Sequence, residues 1–161
     1  MQILIQHISK QLEDIQNGKN WIGSSFDSKL SSIDEELIFT RPSSNLHSIA
    51  EIISHLTLWR NEAILKIKTG KGSKTDDCEE NWLSIDALKN KGWEIIKNEY
   101  DSSLTELLSL LKHKEDTFLN ETYYDNDFKG IYTYNFLING MLHHDIYHLG
   151  QLGIIIKYLK K

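Results

Sequence analysis

The sequence predicts an all-α protein: a four-helix bundle with a longer crossover connection and short extra helical pieces. Three observations carry that expectation. Apolar residues recur at the 3.6-residue period along most of the chain, and alternating patterns are nearly absent outside "YYDNDFKGIYTY". Capping and breaking residues punctuate the periodic runs. Four substantial helical runs, with connections on this scale, point to an antiparallel bundle.

Each element follows from its residues. Leu4, Ile8, Leu12 and Ile15 mark the first helix, closed by Asn17-Gly18, a pair suited to a left-handed C-cap. Phe26, Leu30, Ile33 and Leu37 suggest a second, weaker helical piece, and the only proline, Pro42, then breaks the chain. Ser48 and Glu51 form a capping box, behind which Ile49, Ile52, Ile53, Leu56, Ala63 and Ile67 sustain a helix to Thr69. "TGKGSKTDDCEEN" is a polar loop; its "GKGSK" is too short for a phosphate loop. Leu88, Ile95, Ile96, Leu104, Leu107, Leu108 and Leu111 mark a long helix from Ser84 to about Lys112, which Gly92 can kink or break. "YYDNDFKGIYTY" reads as a loop or short hairpin, and the last helix runs from about Tyr134 to Lys160. No repeat, low-complexity tract or linker divides residues 1–161, which read as a single domain.

Composition narrows the function classes. Apolar residues make up 40% of the chain and charged residues 25%, which suits a globular domain and excludes disorder. A formal charge of −5 argues against nucleic acid, which demands a basic stripe. The single cysteine, Cys78, cannot make an internal disulfide, and its acidic neighbours Asp76, Asp77, Glu79 and Glu80 are ill-suited to a catalytic thiolate. No basic, apolar leader opens the chain and no run approaches membrane-spanning length, so the expected setting is cytoplasmic, with no membrane partner.

The chemistry concentrates in "MLHHDIYHLGQLGIII", which holds three of the seven histidines. At roughly 100° per residue, Met141, His144, His148, Leu152 and Ile155 all fall within roughly 60° of Leu137. His144 and His148 therefore share the core-facing stripe one turn apart, and His143 lies on the flank. Two core imidazoles can be satisfied by carbonyls or facing side chains; they can also share one ion, as i, i+4 histidine pairs do. His55 is a third candidate, because it interrupts the apolar pattern beside Trp59 at the boundary of its helix stripe. Three neutral imidazoles with open positions describe a catalytic or ligand-binding metal centre, for which zinc or nickel would serve. An ordinary histidine pKa then predicts metal loss as pH falls through roughly 6 to 5. His7 and His113 read as solvated, His47 as a possible partner of the capping box, and His143 as a donor to a nearby carboxylate.

A histidine within "SIAEIISHLTLWRNEA", followed by "HDIYHLGQL" on the last helix, resembles the DinB-like (DinB/YfiT) superfamily of four-helix-bundle metalloproteins. The resemblance covers nearly the whole chain, including the "RP" and "SI" before the second long helix and the ending His144, His148, Gly150, Gln151. It implies a divalent metal, often zinc or nickel, bound by His55, His144 and His148. It also implies frequent homodimers and thiol-dependent transfer or isomerisation with low-molecular-weight thiols.

Other metal chemistries fit less well. "HDIYH" mimics a zinc-protease motif, but Asp145 is roughly 80° from the reference direction and a methylene shorter than glutamate. No His, Asp or Glu follows His148, and no inward Glu-x-x-His motif suggests a di-iron bundle. Two readings remain. In one, the protein is a metal-dependent transferase that joins a small-molecule thiol to an electrophile, with Gln151 orienting a ligand and Tyr147 donating a proton. In the other, it is a non-catalytic metal-dependent binding or stress-response module. Trp21, Trp82 and Trp93, near the ends or flanks of helical segments, either close the ends of a monomer core or serve the expected homodimer.

Overall fold

The computed structural model describes residues 2–160. Among the described residues there are six α-helices: α1 (Ile3–Gln16), α2 (Phe26–Leu30), α3 (Ile49–Thr69), α4 (Ile85–Lys91), α5 (Trp93–Leu111) and α6 (Tyr134–Leu159). The "YYDNDFKGIYTY" segment forms a small antiparallel hairpin, β1 (Thr122–Asp125) and β2 (Gly130–Thr133), with Tyr123 opposite Tyr132. The all-α expectation holds, and the long helices are α1, α3, α5 and α6.

Hydrogen bonds between the helices fix their directions. Tyr134, at the start of α6, donates to the carbonyl of Lys66 near the end of α3, whereas His144 further along α6 meets His55 near the start of α3. These two helices are antiparallel. By contrast, Arg60 pairs with Tyr100 and Lys68 with Glu106, so α3 and α5 advance together. The expected longer crossover connection lies here, because a parallel neighbour requires the chain to travel back between α3 and α5. Residues 70–92 make that return, and Trp82, midway along it, packs beside His47 and His55 near the start of α3. α1 and α3 lie across the bundle from each other, each packed on α5 and α6.

Local chemistry explains the other departures from expectation. The run from Ser84 to Lys112 is two helices, separated at Gly92, whose φ of +86° is a backbone conformation side chains rarely adopt. The weak second piece is α2 plus a short 3₁₀ turn at Glu35–Leu37. α1 does not end in a left-handed cap: Asn17 has φ −141°. Gly18 is instead a close-approach position, since a Cβ there would sit 2.7 Å from the Cα of Asp14. Ile5 takes the core position and Leu4 is exposed. Trp21 is fully exposed and closes no end of the core, Trp93 is half-buried, and Trp82 belongs to the site described next.

Candidate metal centre

The capping box at the start of α3 is present and extended. Ser48 Oγ accepts the Glu51 N–H at 3.2 Å and Glu51 accepts the Ser48 N–H at 2.7 Å. Arg41 binds the same carboxylate through Nε and Nη2, and His47 Nδ1 lies 3.4 Å from it. Burial alone would raise the Glu51 pKa; Arg41 and the Ser48 donors outweigh it and bring the group down to about 2. This clamp sets the chain's entry into α3, and one turn past Glu51 the helix delivers His55.

His55 is buried, at 5% exposure, and lines a cleft. Its Nδ1 lies 3.2 Å from the carbonyl oxygen of Asn81, an acceptor, so Nδ1 carries the proton and Nε2 keeps its lone pair. The Asn81 side chain ties this turn down: Oδ1 accepts the Trp59 indole N–H at 2.9 Å, and Nδ2 donates to Asp76 O at 2.6 Å. Trp82 stacks on His55 at 4.1 Å and on His47 at 3.6 Å, each with an 8° interplanar angle. Two rings so close to one centroid must occupy opposite faces, so the indole is sandwiched.

On α6, Leu137, Met141, His148, Leu152 and Ile155 are buried and His144 is half-buried, as the helical period predicts. His148 Nδ1 lies 2.8 Å from Gln151 Oε1, which leaves its Nε2 as a lone pair too. His144 Nε2 is 3.0 Å from His55 Nε2 and 3.0 Å from His148 Nε2. The three ligand-type nitrogens lie within 4.8 Å of one another and could hold a metal ion.

The donor set shows that such an ion fits. Two lone pairs, from His55 and His148, converge on a single nitrogen of His144. A neutral His144 has one N–H and can satisfy only one of them. Protonating the cluster is opposed: burial, then the neighbouring imidazoles, drive His144 down to about 3, and burial with His55 drives His148 down to about 4. His55 is likewise lowered, chiefly by burial. Neutral, converging imidazoles suit a cation and leave too few protons to satisfy one another. The other nitrogen of His144, Nδ1, is buried without a hydrogen-bond partner among the described residues.

A second polar cluster lies directly behind the triad, and the sequence reading did not find it. Asp145, fully buried, accepts from Arg60 Nη2 at 2.7 Å. Arg60, equally buried, also donates to Gln16 of α1 at 2.7 Å and to the Tyr100 hydroxyl of α5 at 3.2 Å. Each of the four long helices thus contributes one side chain. Burial pushes the Asp145 carboxyl up against the opposing pull of Arg60. The available signal was a single charge within an apolar helix face, in "LWRNEA" and in "HHDIYH".

A cleft of about 700 Å³ opens onto the triad. Gln151 lines it with an amide Nε2 that makes no hydrogen bond among the described residues. Tyr147 stands at its mouth, 63% exposed, with its ring 5.0 Å from that of His148. His47, half exposed, lines the cleft as well, whereas His143 faces solvent on the outer side of α6, without the expected carboxylate partner among the described residues, and His7 and His113 are exposed. No described helix is long and apolar enough to cross a membrane.

A helical bundle whose second and last long helices aim three neutral imidazoles at one point defines a class: bundle proteins with a histidine metal centre open to a ligand cleft. The chain belongs to the DinB superfamily, whose family model matches residues 23–152 and so spans all three histidines and Gln151. No curated protein and no solved structure matches the chain.

Proposed function

We propose that this protein is a metal-dependent transferase that joins a low-molecular-weight thiol to an electrophilic acceptor, with zinc or nickel held by His55, His144 and His148. The observation that carries the reading is the cleft: it reaches the converging nitrogens directly, so the site is open to a small molecule, where a structural site would be closed. A bound divalent ion would supply Lewis acidity that favours the thiolate form of a thiol.

The chain's own residues account for the rest. His55 and His148 present lone pairs because the Asn81 carbonyl and the Gln151 amide oxygen accept from their Nδ1–H groups. Trp59, Trp82 and Met141 give the cleft apolar walls that exclude water from the reacting sulfur. In the transfer, the thiol releases its proton to solvent, a sulfur–carbon bond forms as the acceptor's carbon–leaving-group bond breaks, and the leaving group departs with that electron pair. Tyr147, at the mouth, is placed to give that group a proton, and the free amide N–H of Gln151 to orient the ligand. A homodimer in a reducing, cytoplasmic setting completes the proposal.

The test is turnover by protein loaded with zinc or nickel, using a panel of thiols and electrophilic acceptors. Thioether product that depends on both the metal and His144 supports the transferase. Thiol binding without product by any loaded form establishes the non-catalytic module instead.

A further inference from the structure

The cleft beside the triad carries an uneven set of charges. Its charged lining is one lysine, Lys66, and three aspartates, Asp76, Asp125 and Asp127. Lys66 is already neutralised. Its Nζ lies 2.8 Å from Asp125 Oδ2 and 3.9 Å from Glu62 Oε1. The other Asp125 oxygen accepts the backbone N–H groups of Asp127 and Phe128 at 2.9 and 3.0 Å.

Asp76 and Asp127 have no such compensation. Among the described residues, neither has a lysine or arginine within ion-pair distance. The Asp76 N–H donates to Asp127 Oδ1 at 2.7 Å, which joins the loop before Asn81 to the hairpin turn and makes the two carboxylates neighbours. Asn81 Nδ2 donates to Asp76 Oδ1 at 3.0 Å, and one oxygen of each carboxylate is left without a partner.

An independent feature of the same cleft favours the same kind of ligand. Its walls and mouth are aromatic, and aromatic faces attract cations while packing apolar bodies. Trp59 and Tyr123 already flank one ammonium, with Lys66 Nζ 6.0 and 5.6 Å from their centroids. Phe128, Phe136 and Tyr147 offer further rings at the mouth, 58%, 47% and 63% exposed.

We infer that the thiol taken by this cleft has an aromatic or apolar body and carries an ammonium group, held by the Asp76 and Asp127 carboxylates, and that a thiol bearing a carboxylate at that place is rejected. The inference rests on the thiol reading of the triad and specifies its substrate class. Like-charge repulsion against two carboxylates disfavours the acid, and attraction favours the amine.

Calorimetric titration of the zinc-loaded protein at pH 7 tests it with two arenes, 4-(aminomethyl)benzyl mercaptan and 4-(mercaptomethyl)benzoate. Their thiol-free counterparts, 4-methylbenzylamine and 4-methylbenzoate, separate the two ideas. The aminothiol is expected to bind about tenfold or more tighter than the acid. In the Asp76→Asn, Asp127→Asn double variant that preference should fall to about twofold or less. Equal or tighter binding of the acid, or a preference unchanged in the double variant, overturns the inference. Thiols that bind no tighter than their thiol-free counterparts defeat the thiol reading, while the thiol-free pair still decides the charge preference. Failure of all four compounds to bind overturns both.

Discussion

His148 Nδ1 sits 2.8 Å from Gln151 Oε1, one turn further along α6, so the amide oxygen holds the ring proton away from the side that faces His55 and His144. The glutamine acts through the histidine: it fixes the tautomer and the ring orientation. Removing such a partner costs roughly 10- to 100-fold in metal affinity. Gln151→Leu is therefore expected to weaken zinc binding by that factor in a chelator competition, whereas Gln151→Glu, which keeps an acceptor, should restore most of it. Unchanged affinity in Gln151→Leu would show that the residue serves only the ligand.

The triad itself is tested by metal content. His55→Ala or His148→Ala should lose stoichiometric metal in elemental analysis yet retain a helical circular dichroism spectrum. His143→Ala, altered on the exposed side of α6, should keep its metal. The inverse result, with His143→Ala depleted and His144→Ala replete, would contradict the facing of α6. Full metal in all three triad variants would leave only core histidines.

Behind the triad, the Arg60–Asp145 pair is expected to matter for stability through what is left when one partner goes. Both side chains are fully buried. Asp145→Asn leaves an uncompensated guanidinium among four helices, at a cost of about 3–5 kcal/mol. The double change Arg60→Met, Asp145→Leu removes both charges and should recover most of that loss. Urea denaturation measures it, and a wild-type midpoint for Asp145→Asn would refute the argument.

Assembly is a separate matter from the site. Ile154 and Tyr158 are exposed on α6 one turn apart, which gives the proposed homodimer an apolar face. Sedimentation equilibrium at tens of micromolar is expected to return twice the chain mass of 18.7 kDa. A monomer mass would refute the dimer.

The legibility of this site in the sequence follows from where each contact originates. His144 and His148 could be placed because the 3.6-residue period alone puts them on one face, and His55 because a polar residue interrupted an apolar run. Asn81 could not, since its contribution to His55 is a backbone carbonyl brought in by a loop. Arg60 and Asp145 each stand as a lone charge among apolar neighbours, but their pairing exists only once four helices close around them. The parallel packing of α3 and α5 depends on the path of residues 70–92, for which periodicity carries no information. Asp76 and Asp127 become neighbours only through a contact spanning two loops.

Acid sensitivity distinguishes the buried triad from ordinary histidines. An unfolded histidine titrates near 6.5, whereas burial and mutual repulsion bring His144 to about 3 and His148 to about 4 in the fold. Above pH 6.5 the groups are neutral in both states and the metal-free fold has its full stability. Between 6.5 and about 4 the unfolded chain takes up protons that the folded chain refuses, so stability falls as pH falls; below about 3 this contribution levels off. The urea midpoint of the metal-free protein should drop from pH 7 to pH 4.5, and drop less in His144→Gln, which lacks one of the depressed groups. In the folded protein, protons compete for the His144 and His148 nitrogens near these lower values, and burial lowers His55 in the same direction. Metal loss is thus expected between about pH 4 and 3, which displaces the window of roughly 6 to 5 that unperturbed imidazoles predict. Elemental analysis after dialysis at pH 5 tests the expectation: retained metal agrees with the lowered His144 and His148 values, and protein stripped at pH 5 contradicts them.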